Sequence, residues 1–457
     1  MPPLLAPALY FAASLGPVLL AALYAEGAHR ARARADAGLA PPWIATALLV
    51  GCCAGAPALL AHLLARPPAD LAAAAADPRI LCFAALAGPA LARLDANWRA
   101  FAAAAVSLLV VGAFAGPVAL AANLAVCLAG YLVFRLVAPT HRRVAAVLQA
   151  VLLLAALAAL GALRLWNGPV ALAVWGLFAF VGMRQMSFAA SASLEPPPTL
   201  GEHLAFLFLY PTCQGAMEVF PEFRARNLAG EATVATGEAL RRIVVGSLLL
   251  AIALRVDASM DRVLDAGHAF STWVEVLRLF VRSALGVTGI WAIYEGGALL
   301  LGFRLRPNFR GILLAESPSQ FWHAWRGTMT NWLVRHVYVP LGGNRRARTR
   351  NVAAAFGVST AWHCAGTAML HGEQLRLAHL APVVCWGAFS FAGVALHGAL
   401  RARRSVPARP ALPAALVRGA KIGGTWIYGS FTVTLLDLSL GDPARFSLFL
   451  RRISGLG

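Results

Sequence analysis

The chain has 457 residues, of which 60% are hydrophobic and 13% charged, against roughly 45–50% apolar and about 25% charged in a soluble globular domain. An ordinary soluble protein is excluded, because apolar segments of the ~20 residues that a bilayer requires recur along the chain. The 39 basic and 20 acidic residues leave a formal charge of +19, but the arginines stand in short clusters between apolar stretches. That pattern belongs to a membrane protein and argues against nucleic-acid binding, which needs a continuous basic face.

In chain order, apolar stretches at 4–25, 43–65, 80–94, 101–115, 118–137, 144–164, 168–190, 243–258, 277–302, 351–371, 378–400 and 416–436 predict an all-α, polytopic helical bundle of about 11–12 spans. The stretches 80–94 and 101–115 are the short ones. Met1-Pro2-Pro3 carries no basic residue ahead of the first stretch, so that stretch is expected to be a retained span and not a cleaved leader. With the N-terminus outside, the clusters Arg30/Arg32/Arg34, Arg142/Arg143, Arg224/Arg226/Arg241/Arg242, Arg304/Arg306/Arg310, Arg345/Arg346/Arg348/Arg350 and Arg401/Arg403/Arg404 all fall on the cytoplasmic side, as the positive-inside rule requires.

That orientation needs Leu204–Gly215 to return to the side it came from. It is too short to span and is interrupted by Pro211 and Gly215, so a re-entrant element is expected, its irregular backbone satisfied by surrounding protein. Glu195-Pro196-Pro197-Pro198 marks a loop and Arg401–Pro413 a linker. The seven cysteines lie almost entirely in apolar stretches without a C-x-x-C pair, so neither a disulfide framework nor a metal site is expected. Abundant Ala, Gly, Arg and Pro, with Lys421 the single lysine, suggest a GC-rich bacterial source and hence the inner membrane. The whole chain, 1–457, is read as one membrane domain.

Phe321–Gly343 is apolar but laced with His, Arg, Thr and Asn. On one continuous helix Trp322, Trp325, Met329 and Trp332 would share a face, and His323, Arg326 and Thr330 another, with Asn331 beside them. Such a segment is either an interfacial helix with an aromatic side or a polar stripe lining a cavity. Within 351–371, Trp362-His363-Cys364 puts an ionisable residue near mid-span. A charge there is costly against lipid, so His363 is expected to face the bundle interior, as a functional group or as polar glue between helices. His336, His371 and His397 lie near span ends and are read as interfacial.

These residues have a family look. Pro307-Asn308-Phe309-Arg310, Ser317-Pro318-x-x-Phe321-Trp322-x-x-Trp325, Trp332-Leu333-Val334-Arg335-x-Val337-Tyr338-Val339-Pro340-Leu341-Gly342-Gly343-Asn344-Arg345 and Trp362-His363 resemble the membrane-bound O-acyltransferase superfamily. The likeness is to its bacterial branch of alginate-type polysaccharide O-acetyltransferases and teichoic-acid D-alanyl transferases. Tyr210-Pro211-Thr212-Cys213-Gln214-Gly215-Ala216 with Phe220 and Phe223 looks like a further family element, and 205–400 is the stretch covered.

The resemblance implies a helical bundle around a central tunnel in which an acyl thioester, acyl-CoA or another, comes from the cytoplasm. The acceptor hydroxyl would meet it at His363 acting as general base. It implies catalytic support from Arg326 or Asn331, substrate contacts from Trp322, His323, Trp325, Thr330 and Trp362, and no metal or resident cofactor. It also leaves room for a periplasmic acetyltransferase partner. Two positions depart from the family pattern: Arg326 stands where the bacterial branch has His, and Cys364 where Gly usually follows the histidine. The expected activity is transfer of an acyl group, acetyl by preference, to a hydroxyl of an exported glycan. The alternatives are a lipid or small-molecule O-acyltransferase with longer acyl chains and, from another class, a transporter or flippase. Paired intramembrane carboxylates and arginines would favour the transporter, whereas Glu218, Glu295 and Asp437 read as isolated acids.

Overall fold

A computed structural model describes residues 81–455 except 82–83, 86, 89–90, 93, 95, 192–196, 213–214, 229–234, 404–412 and 440. The expected spans at 4–25 and 43–65, the cluster Arg30/Arg32/Arg34 and the Glu195–Pro196 and 404–412 linker residues lie outside the described residues. Those described form helices, with no strand among them: α1 (Ala96–Ala115), α2 (Pro117–Leu136), α3 (Arg142–Trp166), α4 (Gly168–Ala189), α5 (Leu200–Phe208), α6 (Phe220–Asn227), α7 (Thr236–Arg255), α8 (Met260–Asp265), α9 (Ala269–Leu300), α10 (Pro318–Ala324), α11 (Gly327–Leu333), α12 (Arg348–His371), α13 (Leu377–Arg403), α14 (Ala414–Leu438) and α15 (Pro443–Ser454). The protein is therefore an all-α, polytopic helical membrane protein.

Among the described residues six helices are long and apolar enough to cross a membrane: α2, α3, α4, α7, α9 and α13. The helices at the expected spans 351–371 and 416–436, α12 and α14, have the length at 24 and 25 residues but not the hydropathy. Their composition explains the difference, since α12 carries Ser359, Thr360 and His363 and the first turns of α14 carry Arg418 and Lys421. At 101–115 the helix α1 has only a shorter apolar stretch.

The chain divides into two compact units, residues 1–251 with 289–306 and residues 252–288 with 307–457. In the first, α4 packs on α2 and α3, and α1 on α5. Thr199 and Glu202 cap α5 reciprocally, and every residue of it from Gly201 to Phe208 is buried. A 3-10 turn, Tyr210–Thr212, follows. At ~1.5 Å per residue a nine-residue helix falls well short of a bilayer, in keeping with the re-entrant expectation.

What the sequence did not disclose is how that backbone is satisfied. Arg184, fully buried on α4, donates to the Phe206 carbonyl at 3.3 Å and to the Thr212 hydroxyl, which in turn donates to Leu209 O at 2.7 Å. The Tyr210 amide donates to Ser107 Oγ at 3.1 Å.

Two of the acids expected to stand alone, Glu218 and Glu295, do not. Glu218 accepts from Arg226 at 3.3 Å and from the Arg306 amide at 2.7 Å, and Glu295 pairs with Arg242. Glu202–Arg224 (2.8 Å), Glu222–Arg306 (2.6 Å), Glu238–Arg304 (3.3 Å) and Glu238–Arg242 (2.7 Å) are further pairs. The partners are the arginines of the expected loop clusters, and the acids lie in loops or the end turns of helices. These pairs tie the ends of the first unit together and are not charge relays at mid-span. The partners of Glu218 and Glu295 lie 8, 88 and 53 residues away, spacings that leave no local helical pattern.

In the second unit α12 packs on α13 and α13 on α14. Gly387 of α13 brings that helix so close to Thr360 of α12 that a Cβ there would collide with the threonine side chain. Ala258, Val263, Val276, Trp386, Leu435, Leu438 and Phe449 form a buried apolar cluster behind these helices.

Candidate active site

Ser317-Pro318 starts α10 as its residue types dictate: Ser317 Oγ accepts the Gln320 amide at 3.2 Å, and Pro318 occupies the first turn, where its missing N–H costs nothing. The helix then stops. Trp325 is extended and Arg326 is left-handed, at φ 53°, ψ 51°, before α11 begins at Gly327. The single helix expected over this stretch is broken here, and its two faces do not exist as such.

The break is set by a segment distant in sequence. The Asn308 carbonyl accepts the Gly327 amide at 2.7 Å, and Asn308 Oδ1 accepts both the Thr328 amide (3.2 Å) and the Thr328 hydroxyl (2.6 Å). The Arg310 amide donates to Ala324 O at 3.1 Å, and the Thr330 hydroxyl to Trp322 O at 2.7 Å. A left-handed non-glycine residue costs of order 1–2 kcal/mol and persists only where its surroundings over-determine it. Asn308, 1% exposed, supplies that determination.

After α11 a π-turn, Val334–Tyr338, widens the helix by one residue, a feature frequent at functional sites. Gly342 and Gly343, both at positive φ, turn the chain back. Asn351 then pins the loop to the start of α12, donating to Gly343 O at 2.9 Å and to Arg346 O at 2.6 Å. Tyr338 donates to Asn344 Oδ1 at 2.7 Å.

Together these elements enclose a cavity of about 400 Å³, within the size range of small-molecule sites. One face of α12 forms its long wall: Arg348, Val352, Ala355, Phe356, Ser359 and His363 all line it. Fifteen residues of helix make that wall about 22 Å long. At one end are Asn344 and Arg348, in a run where residues 344–350 are all exposed. Among the described residues Arg345, Arg346, Arg348 and Arg350 have no carboxylate partner. At the other end is His363, and no α12 residue beyond it lines the cavity.

Of the expected site residues, Trp322, His323, Trp325, Arg326, Thr330 and His363 line this cavity. The helix break gathers the first five around one space, although a continuous helix would have divided them between two faces. Asn331 and Trp362, also expected at the site, are not among the residues that line it. Asn331 stands about 100° around α11 from Thr330, with its Nδ2 buried and without a hydrogen-bond partner, and Trp362 is likewise turned about 100° from His363 on α12. The Thr330 hydroxyl is also spent on Trp322 O. Trp332 points away from the others into the interior, 2% exposed.

The ring nitrogens of His363 have no hydrogen-bond partner among the described residues. Its ring is placed by Trp386, edge to face at 4.8 Å and 76°. Trp386 meets Trp322 at 5.8 Å, and Trp322 meets Phe356 at 5.6 Å, both edge to face. Trp322 is fixed in turn, its Nε1 donating to Tyr428 Oη (2.8 Å), which donates to Ser390 O (3.0 Å). The Arg326 guanidinium, 6.0 Å from the Phe309 ring centre, lines the same cavity as His363. A histidine with free nitrogens can take a proton, and a cation in the same cavity can stabilise an oxyanion. Asn308, Trp386, Tyr428 and Ser390 were not expected in these supporting roles. Of these only Asn308 lay in a motif quoted above.

Residues 196–371 match the MBOAT, membrane-bound O-acyltransferase family. Over 113 residues the chain is 26% identical to a probable alginate O-acetylase of Pseudomonas syringae pv. tomato, covering 23% of this chain and 22% of that protein. It is 29% identical over 113 residues to a peptidoglycan O-acetyltransferase of Helicobacter pylori, covering 23% and 21%. To a membrane-bound O-acyltransferase of Saccharomyces cerevisiae it is 34% identical over 74 residues, covering 16% and 13%. The match thus spans less than a quarter of the length of each of these relatives.

Proposed function

We propose that this chain, placed by residues 196–371 in the membrane-bound O-acyltransferase superfamily and its bacterial O-acetyltransferase branch, moves an acetyl group from a cytoplasmic acyl thioester to a hydroxyl of an exported glycan. The observation that carries the reading is the cavity running from exposed Arg348 to His363. A phosphate-bearing thioester such as acyl-CoA has its charges at one end and its reactive carbonyl at the other, and the cavity presents Arg348 at one end and a base at the other.

In this reading the acceptor hydroxyl gives its proton to the free ring nitrogen of His363 as its oxygen attacks the thioester carbonyl. General-base help of this kind is worth about 10²–10⁴-fold. The negative charge that develops on the carbonyl oxygen faces Arg326, and the thiolate of the donor leaves toward the arginine mouth. The glycan acceptor and the inner-membrane location rest on the relatives, whose names specify alginate and peptidoglycan.

The test is label transfer from [¹⁴C]acetyl-CoA in inverted membrane vesicles that carry the full chain. Label in the carbohydrate fraction, lost in His363→Ala at unchanged protein level, is the expected result. Label in the chloroform-soluble fraction would replace the glycan with a lipid acceptor. Retained transfer in His363→Ala would remove the base from the mechanism.

A further inference from the structure

We propose that Trp386 limits the length of the acyl group, so that the cavity takes acetyl and excludes long chains. The inference rests on the donor assignment above and deepens it. A thioester that lies along α12 with its charged end at Arg348 carries its acyl group beyond the carbonyl, on the side away from the mouth. Beside His363 the cavity lining includes the Trp386 ring, 4.8 Å from the ring of His363, and Leu436. No α12 residue past His363 contributes to the lining.

The wall is not one that yields. Trp386 is 3% exposed and belongs to the buried cluster with Leu435, Leu438 and Phe449, so apolar side chains fill the space behind it. On its flank stands Trp322, tied through Tyr428 to the Ser390 carbonyl. A chain longer than a few carbons can be seated only by displacing an indole that is packed on its far side. Each further methylene in a pocket that does not fit it costs about 10–200-fold in discrimination.

Trp386 Nε1 has no hydrogen-bond partner, so shortening the side chain strands no buried acceptor. What Trp386→Ala removes is volume, at the place where the acyl group ends.

The experiment uses the full chain in lipid nanodiscs and three non-reactive thioethers, S-ethyl-, S-butyl- and S-octyl-CoA, read by competition binding. Wild type is expected to prefer S-ethyl over S-octyl by at least tenfold. Trp386→Ala should shift that ratio toward S-octyl by a further tenfold or more, with Trp386→Phe intermediate and serving if the alanine variant does not fold. A ratio that stays constant while all affinities fall together would mean that Trp386 only supports the fold, and would overturn the length limit alone. Equal wild-type affinity for all three overturns it too. A wild type that binds none of the thioethers sinks the donor assignment and the length limit with it.

Discussion

Arg326 combines a left-handed backbone with a side chain at the reacting end of the cavity, and these two properties separate by mutation. A guanidinium keeps its charge at working pH and cannot act as a base, but it can donate to an oxygen that gains charge. Arg326 lines the same cavity as His363, and in the proposed mechanism it serves the carbonyl end of the donor. Arg326→Gln is therefore expected to lower kcat by about 10²–10³, the usual loss of an oxyanion donor, with donor KM changed less than threefold. Steady-state kinetics with the donor varied measure this. A raised KM at constant kcat would move Arg326 to donor binding. Arg326→Gly should lose the same activity yet unfold at a higher temperature, because glycine relieves a left-handed strain of about 1 kcal/mol. Stability and activity would then change in opposite directions, as expected where strain is held in place for function.

The helix break between α10 and α11 is the element on which the site depends. Its cause lies about 20 residues upstream, in the two hydrogen bonds that Asn308 Oδ1 accepts from Thr328. Asn308→Ala leaves the Thr328 amide and hydroxyl without that acceptor in a buried place, at a cost of about 1–3 kcal/mol. Thermal unfolding of the purified protein should show a lower midpoint. Transfer activity should fall further than the folded fraction does, because α10 and α11 are then free to join into one helix and carry Arg326 away from His363. If activity falls only in step with the folded fraction, Asn308 is a fold determinant and does not position Arg326.

At the scale of the whole molecule the arginines do two different things. In the first unit those of the expected loop clusters are largely consumed by ion pairs with Glu202, Glu218, Glu222, Glu238 and Glu295. In the second unit Arg345, Arg346, Arg348 and Arg350 stay exposed, and Arg348 lines the cavity. The positive-inside rule gives both groups the same side, and the donor route needs the mouth on the cytoplasmic side. Single cysteines beside Arg142, Arg346 and Arg403 should react with an impermeant thiol reagent in inverted vesicles and not in intact cells. Labelling at 345–350 from outside the cell would reverse the orientation and remove the cytoplasmic donor.

The sequence by itself determined the class of the molecule and singled out His363 as the candidate base. The recurrence of apolar stretches requires a helical membrane protein whatever the packing, because a backbone in lipid must satisfy its own hydrogen bonds. His363 stood out because an ionisable group in such a stretch has a cost that demands a purpose. What lay beyond the sequence was every feature made by partners distant along the chain. Helical periodicity assigned Trp322, Trp325, His323 and Arg326 to two faces, since it assumes that a helix continues, and only Asn308 folded against Thr328 decides that it does not. Glu218 and Glu295 read as isolated because their arginines are far away in the chain. The end of the cavity at Trp386 follows from α13 packing against α12, where Gly387 meets Thr360. Local sequence fixes which residues can do chemistry, but the distances between them are set by tertiary contacts, and at this site those distances decide what the residues can do.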